Sequence, residues 1–170
     1  MEAQESRESV ATGVPFEEWV AARQAALQRF AYLVCGSAAD APDLVQDALS
    51  RAWPRWDSLV RRGTAEAYVR RSIVNGAVSR WRKYRRTVAV ADVATLFEPA
   101  TPSGSDDSLV AWAVVQQLPP TQRAAVVLRF YEDLPFAEVA AVLGCPEATA
   151  RSHVHRALAA LRGHLAEEDR

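Results

Sequence analysis

Residues 65–86 read AEAYVRRSIVNGAVSRWRKYRR, and residues 146–161 read PEATARSHVHRALAAL behind a glycine at position 144. Both stretches keep apolar residues at helical spacing and set basic side chains between them. The fold reading starts here: two basic helices, far apart in sequence, in a chain whose net charge is only −1. A near-neutral protein that gathers positive charge on two separate helices has the electrostatic footprint of one that grips a single polyanion at two points.

Charge is segregated outward from the first stretch. Residues 51–86 hold eleven basic residues against Asp57 and Glu66, a net +9. Residues 1–50 hold eight acidic residues against Arg7, Arg23 and Arg29. Most charge runs are solvated helix faces, but those usually mix signs to gain i,i+4 pairs. This run does not, which favours a nucleic-acid partner.

The rest of the chain reads as helix. Phe16, Val20, Leu27, Phe30, Ala31 and Val34 lie at helical spacing, ended by Gly36 and Ser37. Asp40 is the expected N-cap of a second helix with Pro42 in its first turn. Leu44, Val45, Ala48, Leu49 and Ala52 form its buried stripe, Asp43, Gln46, Asp47, Ser50 and Arg51 face away, and Pro54 stops it. Trp56 to Thr64 reads as a loop before the long basic helix. Residues 87–107 supply breakers and small polar residues, as a linker does. Beyond it Leu109, Trp112, Ala113 and Val115 make a stripe stopped by Pro119 and Pro120. The expected fold class is all-α, two small helical domains joined by a flexible linker. The expected division is a disordered tail at 1–14, a first domain at 15–88, the linker at 89–107 and a second domain at 108–167.

Residues 136–158 have helix-turn-helix spacing. Val139, Ala140 and Leu143 face inward from the first helix, Gly144 makes the turn, and Ala150, Val154 and Leu158 face inward from the second. Arg151, Ser152, His155 and Arg156 point outward, able to reach phosphates or base edges in a major groove. An αα-hairpin without a DNA role has the same pattern, and the two readings stand level on these residues alone.

Composition excludes several classes. No apolar run is long enough to cross a bilayer, so no membrane insertion is expected. The polar, acidic N-terminus lacks a signal-peptide pattern, and Cys35 and Cys145 fit free thiols, so a cytoplasmic location is expected. No Gly-rich phosphate loop, nucleophile elbow or His-Glu metal motif is present, so neither an enzyme nor a small-molecule substrate is expected. His153, His155, His164 and Cys145 match no common zinc spacing, and no metal or cofactor is expected.

Taken together, the two halves resemble the bacterial sigma-70 superfamily in its small extracytoplasmic-function (ECF) group. Asp43-Leu-Val-Gln-Asp-Ala-Leu-Ser-Arg-Ala-Trp53 is similar to region 2.2 of that family. Ala67-Tyr-Val-Arg-Arg-Ser-Ile-Val-Asn75 through Trp81-Arg-Lys-Tyr-Arg-Arg86 is similar to regions 2.3 and 2.4. Leu118-Pro-Pro-Thr-Gln-Arg123, Val127–Leu134 and the helix-turn-helix resemble region 4. The wording from Glu66 to Arg71 with Asn75 is most similar to the actinobacterial SigE-type subfamily. The resemblance covers about residues 16–165.

The resemblance implies a non-catalytic specificity subunit of RNA polymerase that recognises promoters and starts transcription at a particular regulon. It implies contact with the polymerase core through Asp43, Gln46, Asp47 and Arg51. It implies that the loop with Arg61 and Arg62, together with Asn75, pockets a base of the −10 element, and that Arg80, Arg82, Lys83, Arg85 and Arg86 hold its phosphates. Melting without external energy needs a protein that binds the single strand better than the duplex. Arg151, Ser152, His155 and Arg156 fall where the family meets the −35 element, and Arg123 is a further candidate backbone contact. Trp81 is read as a stacking residue or as a core aromatic. The implied partners are core polymerase, promoter DNA and an anti-sigma factor that packs between the domains.

Some residues depart from the family pattern. Pro146 and Ala148 replace a small polar residue and a glycine, and neither breaks a helix. Gly76 inside the basic helix is unexpected and either eases a close approach or loosens the helix. A dimeric helix-turn-helix regulator is the main rival, but it leaves residues 40–86 unexplained. A decoy that binds polymerase without initiating would have no need of the basic residues at 80–86.

Overall fold

The computed structural model describes residues 13–87 and 106–168. The tail expected at 1–14 and the linker expected at 89–107 therefore lie almost entirely outside the described residues. Their regular structure is helical, with no strand among the described residues. Four α-helices come before residue 88: α1 (Phe16–Cys35), α2 (Ala41–Ala52), α3 (Trp56–Arg61) and α4 (Ala65–Thr87). Four follow it: α5 (Asp106–Gln117), α6 (Pro120–Val126), α7 (Phe136–Leu143) and α8 (Glu147–Glu168).

In the first half, α4 lies along α2, and α1 packs against both. All five stripe residues of α2 are buried, as their spacing predicts. Gly76 explains how closely α4 can approach. A Cβ there would stand 2.7 Å from Leu44 Cδ2 of α2, so the glycine serves helix packing within the protein. Phe16, Trp19, Trp53 and Trp56 close the end of the bundle with ring centroids 4.9–5.1 Å apart. Trp56 Nε1 donates to the Val14 carbonyl at 3.0 Å, which satisfies the buried indole.

Two local expectations fail here. The stretch read as a loop contains α3, because Trp56 and Leu59, three residues apart, are buried on one side of a short helix. Asp40 does not cap α2. Its backbone is already αR, its own N–H bonds to Ser37 Oγ at 3.2 Å, and its carboxylate has gone to Arg80.

In the second half, α8 packs across α5, α6 and α7. α7 ends at Gly144, whose φ of 65° is the left-handed conformation a tight turn needs. A Cβ at Gly144 would also run into the Arg71 guanidinium of α4. Between α6 and α7 the chain makes a π-helical turn, Val127–Tyr131, and then reaches Asp133 at φ 54°. The α5 stripe differs from its expected register: Val114, Gln116 and Leu118 are buried while Ala113 is exposed. α5 faces α8 on one side and Tyr32 of α1 on another, with the Tyr32 and Trp112 rings 5.8 Å apart.

The halves are not separate. α6 packs on α1 and α4, and α7 packs on α4. One apolar cluster runs from Leu27, Phe30 and Val69 through to Leu128, Val139 and Ala150.

Candidate nucleic-acid and polymerase interfaces

Asp43, Gln46, Asp47 and Arg51 are all exposed on the outer face of α2. They recur at three- and four-residue intervals, which makes them one patch on a helix whose other face is core. The structure also ties this patch to α4. Arg80 Nη1 lies 3.0 Å from Asp40 Oδ1, and Arg80 Nη2 lies 4.0 Å from both Asp43 Oδ2 and Asp47 Oδ2. Arg80, expected among the phosphate contacts, is thus shared with the acidic edge of α2.

The end of α4 gathers four exposed cations in five residues. Arg82, Lys83, Arg85 and Arg86 are exposed, and Trp81 is half-buried among them. The Arg85 guanidinium lies 4.8 Å over the Trp81 ring. Trp81, Arg82, Arg85 and Arg86 together line a recess of about 310 Å³. An indole wall with three guanidinium groups combines a stacking surface with phosphate donors. Asn75 is exposed nearer the middle of α4, and Arg61 and Arg62 are exposed at the end of α3.

On α8, Arg151, Ser152, His155 and Arg156 are exposed together on the outward face, while Ala150, Val154 and Ala157 are buried on the inward one. Arg151 is pre-oriented: its guanidinium bonds to Glu147 Oε1 at 2.6 Å and lies 4.4 Å over the Phe136 ring. Ser152 Oγ donates back to the Ala148 carbonyl at 3.0 Å. His153 is half-buried, and burial, helped by the nearby Arg156 charge, lowers its pKa from the ordinary 6.5.

Arg123 is the exception. It is 1% exposed and faces protein instead of solvent. Its Nη1 donates to the Val34 carbonyl at 3.0 Å, and its Nη2 donates to the carbonyls of Gln116 at 2.6 Å and Leu118 at 3.0 Å. Burial lowers its pKa to about 10. In this arrangement the residue holds three main-chain carbonyls, so the expectation of a phosphate contact is corrected.

Sequence reasoning missed a second ionic contact. Arg70 of α4 is buried over the Phe30 ring, at 5.1 Å, and bonds to Glu66 Oε1 at 2.9 Å and to Glu132 Oε2, in the other half, at 3.1 Å. Glu132 follows the π-helical turn, whose extra residue no periodicity announces. A basic residue at an inward register of α4 was the available signal.

The sigma-70 region 2 family matches residues 19–87, and the sigma-70 region 4 family matches residues 109–161. The RNA polymerase sigma-E factor of Streptomyces coelicolor is 38% identical over 156 residues, covering 91% of this chain and 88% of that protein. This chain belongs to the sigma-70 family. Its relatives place it in the ECF group, on the SigE-like side. The ECF RNA polymerase sigma factor SigL of Mycobacterium tuberculosis is 31% identical, covering 84% of each chain. Among solved structures, the sigma factor RpoE of Bartonella quintana, in complex with the anti-sigma factor NepR, matches with a TM-score of 0.71 at 29% identity. That match covers 91% of this chain and 98% of that one.

Proposed function

We infer that this sigma-70 protein directs RNA polymerase to promoters and starts transcription there, and that it does so as a non-catalytic specificity subunit. The observation that carries the reading is the pairing, in one chain and in family order, of the region 2 and region 4 matches with exposed cationic faces on α4 and α8. In this reading residues 15–88 act as region 2 and residues 108–167 as region 4. Asp43, Gln46, Asp47 and Arg51 meet the polymerase core. The Trp81 recess and its neighbouring cations hold the −10 strand, with Arg61, Arg62 and Asn75 pocketing an unstacked base. Holding a single strand better than a duplex shifts the melting equilibrium without any covalent chemistry. Arg151, Ser152, His155 and Arg156 meet the −35 element. The protein works in the cytoplasm, at the nucleoid when bound to polymerase. An anti-sigma factor is its regulator, a reading supported by the likeness to the RpoE–NepR complex.

Run-off transcription with purified bacterial core polymerase and upstream DNA from the source genome tests this. Transcripts that start only when the protein is added are the expected result. A protein that ignores core yet shifts a palindromic duplex by itself is a dimeric regulator instead.

A further inference from the structure

We propose that the cleft bordered by the end of α1, the last turns of α4 and the start of α6 is a binding site for a small arene carboxylate. The site does not depend on the reading of the chain as a sigma factor.

The cleft holds about 430 Å³. That lies within the range of about 300–1,000 Å³ that small-molecule sites occupy. Ala77, Trp81 and Tyr84 of α4 and Pro120 of α6 give it apolar and aromatic walls. Trp81 and Tyr84 are three residues apart and so lie on one side of the helix. Two such rings on one wall suit a flat aromatic guest. Apolar walls with a few placed polar groups are the usual build of a ligand site.

Those polar groups are short of negative charge. Asp40 is the one carboxylate among the described residues that line the cleft, and Arg80 takes it at 3.0 Å. Cys35 brings no charge: burial raises its thiol pKa, and its Sγ donates to the Ser37 carbonyl at 3.3 Å. Against these stand two cations without a carboxylate. Lys83 is exposed and makes no ion pair among the described residues. The other is Arg123.

Arg123 decides the chemistry of the guest. It is 1% exposed, its hydrogen bonds all go to uncharged main-chain carbonyls, and its Nε has no partner among the described residues. A buried cation that meets only neutral acceptors lacks a countercharge, and a carboxylate beside it gains a charge-assisted bond. Tyr84 also keeps a buried hydroxyl with no partner among the described residues. A buried donor left unpaired costs free energy until something accepts from it. A carboxylate has two acceptor oxygens, one for each of these donors. A neutral or cationic ring system fits the same walls and has no such gain.

The test uses the full-length protein and three probes on one ring system: naphthalene carboxylate, the neutral naphthalene methanol and the cationic naphthylmethylammonium. Amide signals are followed by two-dimensional nuclear magnetic resonance during each titration. The carboxylate is expected to give saturable shifts at Cys35, Ala77 and Tyr84, with a Kd of about 1 mM or tighter. The alcohol and the ammonium are expected to bind at least about tenfold more weakly. Tyr84→Phe keeps the ring and removes the hydroxyl, and is expected to weaken the carboxylate about threefold or more. Arg123→Gln, once circular dichroism shows its helix content kept, is expected to abolish the preference for the carboxylate over the alcohol.

The absence of a saturable shift up to about 10 mM overturns the proposal, as does equal binding of the carboxylate and the alcohol. Shifts confined to Arg82, Arg85 and Arg86 overturn it too, because they put the anion in the neighbouring recess on α4. Where Arg123→Gln does not fold, Tyr84→Phe decides, and an unchanged affinity for the carboxylate sinks the assignment. Run-off transcription needs none of these probes, so the sigma reading and the ligand site fail separately.

Discussion

The Val34 carbonyl at the end of α1 accepts a hydrogen bond from Arg123, 89 residues further along the chain, at 3.0 Å. The bond joins the two halves through a main-chain oxygen and a buried cation. Replacing Arg123 with leucine leaves three carbonyls without their donor. The expected loss is about 2–4 kcal/mol of unfolding free energy, measured by urea denaturation. Arg123→Lys is expected to recover only part of it, since a single ammonium lacks the guanidinium fork.

Gly76→Ala sets two effects against each other. Alanine gains about 1 kcal/mol in helix propensity. Its Cβ meets Leu44 at 2.7 Å, and overpacking of that kind costs about 1–3 kcal/mol. A net loss of about 1 kcal/mol is expected. Thermal unfolding checks it, and Leu44→Val in the same chain is expected to restore most of the loss by making room.

Stability of the second half is expected to depend on pH through His153. Its folded pKa lies below 6.5, from burial first and the Arg156 charge second. Below about pH 6.5 the unfolded chain takes up protons that the folded chain refuses, so stability rises with pH there. The contribution is fully present above pH 6.5 and is lost as the pH falls through 6.5 towards the folded value. Melting curves between pH 5 and pH 7.5 are expected to show that slope, and His153→Gln to flatten it.

The recess on α4 predicts a salt effect. Removing Arg85 or Arg86 is expected to weaken binding to promoter DNA evenly across sequences. It is also expected to reduce the slope of log affinity against log salt by about 1 for each phosphate the variant no longer neutralises. Arg156→Ala separates two outcomes on α8. A base contact predicts a loss of about 1–3 kcal/mol at one base position, and a phosphate contact predicts the even loss again.

Cys35 lines the cleft of about 430 Å³ that also borders Arg80, Trp81 and Arg123. Burial raises its thiol pKa above the ordinary value, so little thiolate is available. Slow alkylation at pH 8 is expected for the wild-type chain, and faster alkylation for Arg123→Ala, which removes a side chain that lines the cleft.

Much of this architecture was readable from local pattern. The α2 stripe and its exposed acidic face follow from spacing alone, because one side of that helix meets core and the other meets solvent. The helix-turn-helix was readable for the same reason, with Gly144 marking its turn. What failed was set by distant partners. Asp40 has the side chain of a cap, but Arg80, forty residues on, takes its carboxylate. Arg123 looks like any arginine beside a helix start, and the chain ends of α1 and α5 make it internal. The register of α5 is shifted by neighbours in both halves. Gly76 was ambiguous because its reason is a leucine on another helix.

The joint between the halves and the outward face of α8 share no residue. Arg70, Arg123 and Glu132 lie between the halves, while Arg151, Ser152, His155 and Arg156 look outward from α8. For an engineer this is a separation of controls. Substitutions at Arg151, Ser152, His155 or Arg156 are expected to change what the face of α8 binds and leave the joint intact, and substitutions at Glu132 are expected to loosen the joint and leave that face intact.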